Sequence, residues 1–345
     1  MRFVDYNVII EFAWSKFNST KKIVKIEDIS AKVSTNHVFR VTFEKGSIVI
    51  AKLSYFGRHE HFIDDHKIIN ALANNLLFPF DQFIARSLSK KNEVFTYRYQ
   101  KAGIDVWTVF YNPIRIDQRV PNILNEKQIK KLGHQLGYFH SACHDIVEEL
   151  PKSSKTMEFD IKEFQKLLNT EQGLIEHALH NVEIKKQCNL FLKNSKQLGY
   201  QDFERLPVFI DWNIGNFSVD KQFNFYSRWD YDWFRMSPRT MDFYFWARVV
   251  RAEGDQTSFS YTIDPLNEDR FHLFLKSYHE VNPLTESEIL FIKEAYRFFI
   301  LHYVIKLGNY FFLSNYAIKL REEAFSVYLP NIDKFNIDKL LQILK

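Results

Sequence analysis

The stretch 208–233 constrains this chain more than any other. Val208-Phe209-Ile210 is apolar, Asp211 to Gly215 has the composition of a loop, and Asn216 follows. Residues 217–219 and 223–229 then read as two strands around an Asp220-Lys221-Gln222 turn, with Asp230 and Asp232 just beyond. Folded as a hairpin, these strands return Asp230 to the end at which Asn216 leaves, and Asp211 enters the same place from the loop. Magnesium that bridges nucleotide phosphates takes such oxygen ligands, and phosphoryl transfer needs one further carboxylate to accept a hydroxyl proton. Taken singly, each group has a plainer reading. Asp211 can satisfy backbone amides in a turn, Asn216 can cap the loop, and Asp230 and Asp232 can be solvated charges at a hairpin end.

Distant segments support the joint reading. Residues 37–43 alternate, Glu44-Lys45-Gly46-Ser47 is a turn, and 48–53 forms a second strand with Lys52 near its end. Residues 58–74 read as a helix whose inner stripe is Phe62, Asp65, Ile69, Leu72 and Leu76. A carboxylate on a buried stripe is costly unless it meets a cation, so Asp65 is expected to pair with Lys52. The alternative is a slightly rotated helix with Asp65 in water beside Asp64.

A strand is expected at 93–100. After Lys101-Ala102-Gly103 an irregular stretch runs to Asn122, contains Pro113 and Pro121, and reads as a hinge. Beyond it the chain is mostly helical. The helix at 126–144 opens on a capping box, Asn125 with Gln128, and has Gly133 and Gly137 beside its stripe of Ile129, Leu132, Leu136, Phe139 and Cys143. Helical patterns recur at 160–200, 266–281 and 286–314, the last opened by a Thr285-x-x-Glu288 box. The expected class is α+β, with a small β-rich lobe at 1–100, a connecting segment at 101–122 and a larger helical lobe at 123–345.

Composition excludes several classes. Across 345 residues, 34 Phe, 17 Tyr and 6 Trp supply a large core, while 10 Gly and 9 Pro argue against disorder. The net charge of +4 is not gathered into basic blocks, so no nucleic-acid partner is expected. Cys143 and Cys188 make no disulfide framework and read as buried thiols in a reducing compartment. Asp5 and Glu11 interrupt any export signal, and the apolar run at 298–305 is too short to span a bilayer. A soluble cytoplasmic protein without membrane partners is expected, its oligomeric state open.

The order of these motifs resembles that of the aminoglycoside phosphotransferase and choline kinase-like superfamily, which shares the protein-kinase fold. The resemblance covers most of the chain. Asn36-His-Val-Phe-Arg-Val41 is similar to that family's nucleotide-covering hairpin, Lys52 to its phosphate-contacting lysine, and Asp65 to the helix acid paired with that lysine. Leu132-Gly-x-x-Leu-Gly-x-x-His140 resembles the helix before the catalytic loop, with His140 a packed core histidine. The resemblance makes Asp211 the catalytic base, Asn216 and Asp230 the metal ligands, and Asp242 a support for the loop. It implies a two-lobed kinase-like fold, an ATP (or GTP) and Mg2+ requirement, and a small-molecule hydroxyl acceptor. Phe209-Ile210-Asp211 stands where the family has His-Gly-Asp, so Phe209 takes the histidine's supporting place by packing. Asp65 is one methylene shorter than the usual glutamate.

Acceptor candidates are Asp232, Trp212, Tyr231 and Trp233, a set suited to a cationic amine by charge and cation–π attraction, although the aromatics can equally pack the lobe. Amino alcohols, sugars, aminoglycosides and nucleosides all fit such a family. Two other classes remain: a nucleotide-binding regulator without turnover, and a protein Ser/Thr kinase. Against the latter, Met236-Ser-Pro-Arg arrives too soon after Asp230 for a long activation loop. A glycosyltransferase reading of Asp230-Tyr-Asp232 ranks low, because no glycine-rich strand-to-helix turn precedes it.

Overall fold

The apolar run that carries Lys52 forms the middle strand of an antiparallel sheet. The computed structural model describes residues 5–31, 34–55, 57–101, 103–254 and 260–345. Residues 1–4, part of the stretch read for an export signal, and Ala102, in the expected break, lie outside them. Strands β1 (Ile23–Asp28), β2 (His37–Phe43), β3 (Ile48–Ser54), β6 (Thr96–Lys101) and β7 (Ile104–Tyr111) make one sheet in the order β1-β2-β3-β7-β6. A two-strand ribbon, β4 (Ser89–Lys90) and β5 (Glu93–Val94), precedes β6, so the strand expected at 93–100 is divided in two.

The period of two along β3 decides where Lys52 goes. Val49, Ala51 and Leu53 pack with Ile9, Ile10, Ala13 and Trp14 of helix α1 (Tyr6–Phe17), which the sequence reading did not anticipate. Ile50 packs instead against the core of the helical lobe, and Lys52, next but one, is buried on that same side. Helix α2 (His59–Asn75) follows, as expected, and buries Ile68, Ile69, Leu72 and Ala73 in the same core.

β7 corrects the expectation of an irregular stretch from 101 to 122. It lies inside the sheet between β3 and β6 and is buried continuously from Val106 to Tyr111. A strand covered on both faces shows no polar–apolar alternation, which is the signal the sequence reading looked for. Irregular backbone is confined to 112–125.

The rest is helical apart from short strand pairs. Helix α3 (Glu126–Asp145) starts at the expected capping box, with the Asn125 side chain accepting from Gln128 N and the Gln128 side chain accepting from Asn125 N, both at 2.9 Å. The pattern at 160–200 resolves into α4 (Met157–Leu167), α5 (Glu171–Glu176) and α6 (Asn181–Gln197). Helices α7 (Phe243–Val250), α8 (Asp269–Val281) and α9 (Glu286–Phe299) follow. The single helix expected over 286–314 instead leaves α9 through a π-helical stretch, Ile300–Lys306, before a last short turn, Gly308–Phe311. The two lobes meet directly where Thr35 N donates to Phe311 O at 3.1 Å. Both cysteines are buried free thiols, and no described helix is long and apolar enough to cross a membrane.

Helices α3 and α8 touch at glycine. A Cβ at Gly133 would lie 2.5 Å from the carbonyl oxygen of Phe274, and one at Gly137 would lie 3.0 Å from the Val281 Cβ. Alanine is the better helix former, yet here it would force the helices apart. Gly133→Ala is expected to lower stability by about 2 kcal/mol in urea denaturation, and an unchanged midpoint would show that the contact is not tight.

Candidate active site

Two loops lie side by side because their flanking strands pair. β8 (Leu206–Val208) pairs with β11 (Arg235–Ser237), and β9 (Phe217–Val219) pairs with β10 (Phe225–Arg228). One loop therefore spans 209–216 and the other 229–234, and Trp229 N donates to Asn216 O at 3.0 Å across them. Between them sits Arg228, fully buried. Its guanidinium donates to the carbonyl oxygens of Asp211 (3.0 Å), Asn216 (3.1 Å) and Trp229 (2.9 Å). The same group lies 4.4 Å from the Phe209 ring centre and 4.8 Å from that of Trp212. Sequence reasoning gave Arg228 no role, and the one available signal was a cation inside an apolar strand two residues before Asp230.

A second buried group holds the first loop from behind. One carboxylate oxygen of Asp242 accepts from Phe209 N (3.0 Å) and Ile210 N (2.7 Å). Its other oxygen lies 3.1 Å from His140 Nε2. A carboxylate only accepts, so Nε2 carries the proton and Nδ1 accepts from the Tyr278 hydroxyl at 2.9 Å. Burial holds the His140 imidazole below its usual pKa, consistent with a neutral ring. Phe209 packs against Phe139, Trp212, Tyr231 and Phe234.

The backbone is strained at the same place. Ile210 has φ of 63° and Asp230 has φ of 67°. A β-branched residue in the left-handed region is a genuine outlier, costing of order 1–3 kcal/mol, and persists only where its surroundings overdetermine it. The Asp242 carboxylate and the Arg228 guanidinium are those surroundings.

Lys52 meets the second loop. Its Nζ lies 2.8 Å from Asp230 Oδ1 and 2.6 Å from Asp232 Oδ1. Burial alone would push the Lys52 ammonium down, but the two carboxylates hold it above the ordinary lysine range. The Asn36 amide, at the start of β2, donates to the second oxygen of Asp232. The expected Lys52–Asp65 pair does not form. Asp65 instead bonds Lys155 Nζ at 2.6 Å, because it is His66 on α2 that lies nearer the sheet, 2.5 Å from the Tyr111 hydroxyl. Lys155 precedes α4, 90 residues from its partner, and nothing local in sequence marks it.

Among the described residues no cluster of three or more His, Cys, Asp or Glu side chains could hold a metal alone. The donors present fit an ion that arrives with phosphate oxygens as ligands. The Asp230 carboxylate is 39% exposed and thus reachable, and on the adjoining loop the Asn216 amide is tethered through its own Nδ2 bond to Asp211 O at 3.3 Å. Burial first, then the Asp230 charge, raises the Asp211 carboxyl to about 6.

No protein-family model matches the chain, and no curated protein matches it in sequence. Solved structures do. An amicoumacin kinase, solved with AMP-PNP, Ca2+ and Ami, aligns over 97% of this chain and 95% of its own at 15% identity, with a TM-score of 0.63. The choline kinase LicA of Streptococcus pneumoniae aligns over 96% and 99% at 14% identity, with a TM-score of 0.54. An aminoglycoside 2'-phosphotransferase-IIIa, solved with GDP, aligns over 93% and 99% at 11% identity, with a TM-score of 0.55. This chain has the fold of the aminoglycoside phosphotransferases and choline kinases. It is the two-lobed, protein-kinase-like α+β architecture, with the sheet in the amino-terminal lobe.

In this phosphotransferase fold the aromatic acceptor candidates separate. Trp212 is fully buried among Phe83, Phe139, Phe225 and Trp246, and is a core residue. Trp233 is likewise buried, against Phe245, Phe299, Tyr303 and Phe311. Both sit in a chain so rich in rings that sequence cannot tell core from lining. The one proton of the Tyr231 hydroxyl is shared between Ala85 O (3.0 Å) and Arg228 O (2.8 Å), yet Tyr231 and Asp232 also line a cleft of about 360 Å³. Asp232 thus faces both ways, toward Lys52 and into the cleft.

Asp242→Ala would leave two buried loop amides without an acceptor. It is expected to cost about 3 kcal/mol, measured by urea denaturation, with His140→Gln costing less because the amide bonds survive. Equal losses would place the support in His140 rather than in the carboxylate.

Proposed function

We propose that this chain is an ATP- or GTP-dependent phosphotransferase that uses Mg2+ to move the γ-phosphoryl group to a hydroxyl of a small molecule, among amino alcohols, sugars and aminoglycoside-like polyols. One observation carries the reading. Arg228 holds the Asp211 loop against Asp230, which contacts Lys52, in a fold that known small-molecule kinases share. The amino-terminal lobe would bind nucleotide, the carboxy-terminal lobe would supply the catalytic loop and acceptor site, and the irregular segment between them would act as the hinge.

Each residue has a defined task in this proposal. Lys52 would release Asp230 and take phosphate oxygens while keeping its bond to Asp232, whose other oxygen the Asn36 amide holds. Asn216 and Asp230 would hold the metal, which would supply neutralisation of phosphate charge. Asp211 orients the acceptor hydroxyl. The acceptor oxygen bonds to the γ-phosphorus as the bond to the β–γ bridging oxygen breaks, the hydroxyl proton passes to Asp211, and the nucleoside diphosphate leaves. A carboxyl raised to about 6 is ionised at neutral pH yet more basic than an exposed aspartate. Asp242, His140 and Phe209 support the loop, and catalysis is mainly positioning and charge neutralisation. Asp65, paired with Lys155, no longer steadies Lys52; Asp232 does.

A peptide acceptor is disfavoured by the chain path. β11 begins at Arg235, three residues after Asp232, and leaves no long loop on which a peptide would rest.

The test is a Mg·ATP transfer assay over a panel of hydroxyl compounds, with Asp211→Asn as control. The variant is expected to lose about three decades of turnover while its nucleotide affinity, read by calorimetry, changes less than about threefold. Full turnover in Asp211→Asn would remove the base assignment. Nucleotide binding without transfer to any acceptor would favour a non-catalytic regulator.

A further inference from the structure

The cleft beside Asp232 carries information about the acceptor that the sequence did not. It lies between the first half of α2, the stretch just after Asp230, the start of α4 and the π-helical stretch Ile300–Lys306. Its volume of about 360 Å³ suits a small molecule. Asp232 is part of its wall and pairs with Lys52 at 2.6 Å, so the cleft opens beside the group assigned to the phosphates.

The carboxylates in this wall are all engaged. Asp65 is paired through one oxygen with Lys155 (2.6 Å), its buried Oδ1 having no bonding partner among the described residues, and Asp160 is paired with Arg235 (2.8 Å), Glu163 with Arg58 (2.6 Å) and Asp232 with Lys52 (2.6 Å). A polyamine entering here would find no carboxylate without a cation already bonded to it. It would have to break one of these pairs, and removing one partner of a buried pair strands the other charge.

Lys306 is the exception among the cations. Its Nζ reaches only the Asp160 carbonyl oxygen at 3.3 Å and Glu163 at 3.9 Å, and Glu163 already has Arg58. Burial holds its ammonium below the ordinary lysine pKa. The π-helical stretch places it. This widened turn brings His302, Tyr303 and Lys306 into one wall, and π-turns interrupting α-helices recur at functional sites. His302 is buried and neutral, with a pKa pushed down to about 3, and its Nδ1 has no bonding partner among the described residues. An unpartnered, nine-tenths-buried imidazole nitrogen in the wall is a second sign of a polar ligand.

We propose that the acceptor is a small hydroxyl compound carrying one anionic group, held by Lys306 with Arg58 nearby, and not a polyamine. The proposal rests on the phosphotransferase reading above and narrows it. The anion is a carboxylate or a phosphate monoester; both present oxygen acceptors to an ammonium. Neutral hydroxyls of the same molecule would meet His302 and Tyr303.

The experiment uses the full chain with Mg·ATP and four groups of probes. These are hydroxycarboxylates (glycerate, gluconate), sugar phosphates (glycerol 3-phosphate, glucose 6-phosphate), neutral sugars, and amines (ethanolamine, choline, kanamycin). Turnover is expected with one of the first two groups, and which one identifies the anion. Lys306→Glu and Lys306→Gln are each expected to raise the acceptor KM at least about tenfold with a smaller change in kcat, and melting curves would confirm that both fold. Kanamycin or ethanolamine turning over with the lowest KM would overturn the inference, as would an unchanged acceptor KM in both variants. Calorimetry of ATP binding to the unmodified chain separates the two levels. Binding with no anionic acceptor used overturns this inference alone, and no binding overturns the phosphotransferase reading with it.

Discussion

The site depends on one buried cation. Removing a guanidinium from water is expensive, by several kcal/mol, unless its donors are satisfied. Arg228 satisfies its terminal donors with backbone carbonyls from both loops and rests its plane against Phe209 and Trp212. The desolvation cost is offset only when those loops occupy their observed places, so Arg228 couples them. Asp211, Asn216 and Trp229, the neighbour of Asp230, are thereby tied through their carbonyls to one side chain.

This coupling bears on the sequence of the 209–216 loop. Where the resembling family has a histidine, this chain has Phe209, which cannot donate or accept. The polar work lies on its neighbours: Asp242 takes the loop amides and Arg228 takes the loop carbonyls. Phe209 supplies a ring face for the guanidinium and a wedge in the aromatic core. The strained φ values at Ile210 and Asp230 are held by these same bonds. The loop's shape is thus imposed by tertiary hydrogen bonds at residues whose own backbone preferences oppose it.

Much of the scaffold was legible because it obeys local rules. The capping box at Asn125, the β2–β3 hairpin, the α2 stripe and the hairpin after Asn216 all express periodicity or turn chemistry within a few residues. Strand β7 and the π-helical stretch were not legible. A strand buried on both faces loses its alternation, and a widened turn inside an apolar helix leaves no compositional mark. The charge partners were the least legible. Asp65 was rightly read as a carboxylate needing a cation, but the cation is Lys155, not Lys52. Pairing depends on which way α2 faces between two lobes, and a stripe specifies that only to within a residue or so.

Sequence alone determined the residue types available to the site and the order in which they occur, because spacing along strands and turns is a local property. It also determined that Lys52 would lie on a strand, near its end, since the apolar run at 48–53 follows a turn. Only the tertiary structure decided which charge meets which. It gave Lys52 to Asp230 and Asp232, Asp65 to Lys155, and left Lys306 with long contacts in the cleft. Those choices turn on desolvation and on contacts between segments tens to hundreds of residues apart. They appear only once two lobes have closed around the same few ångströms.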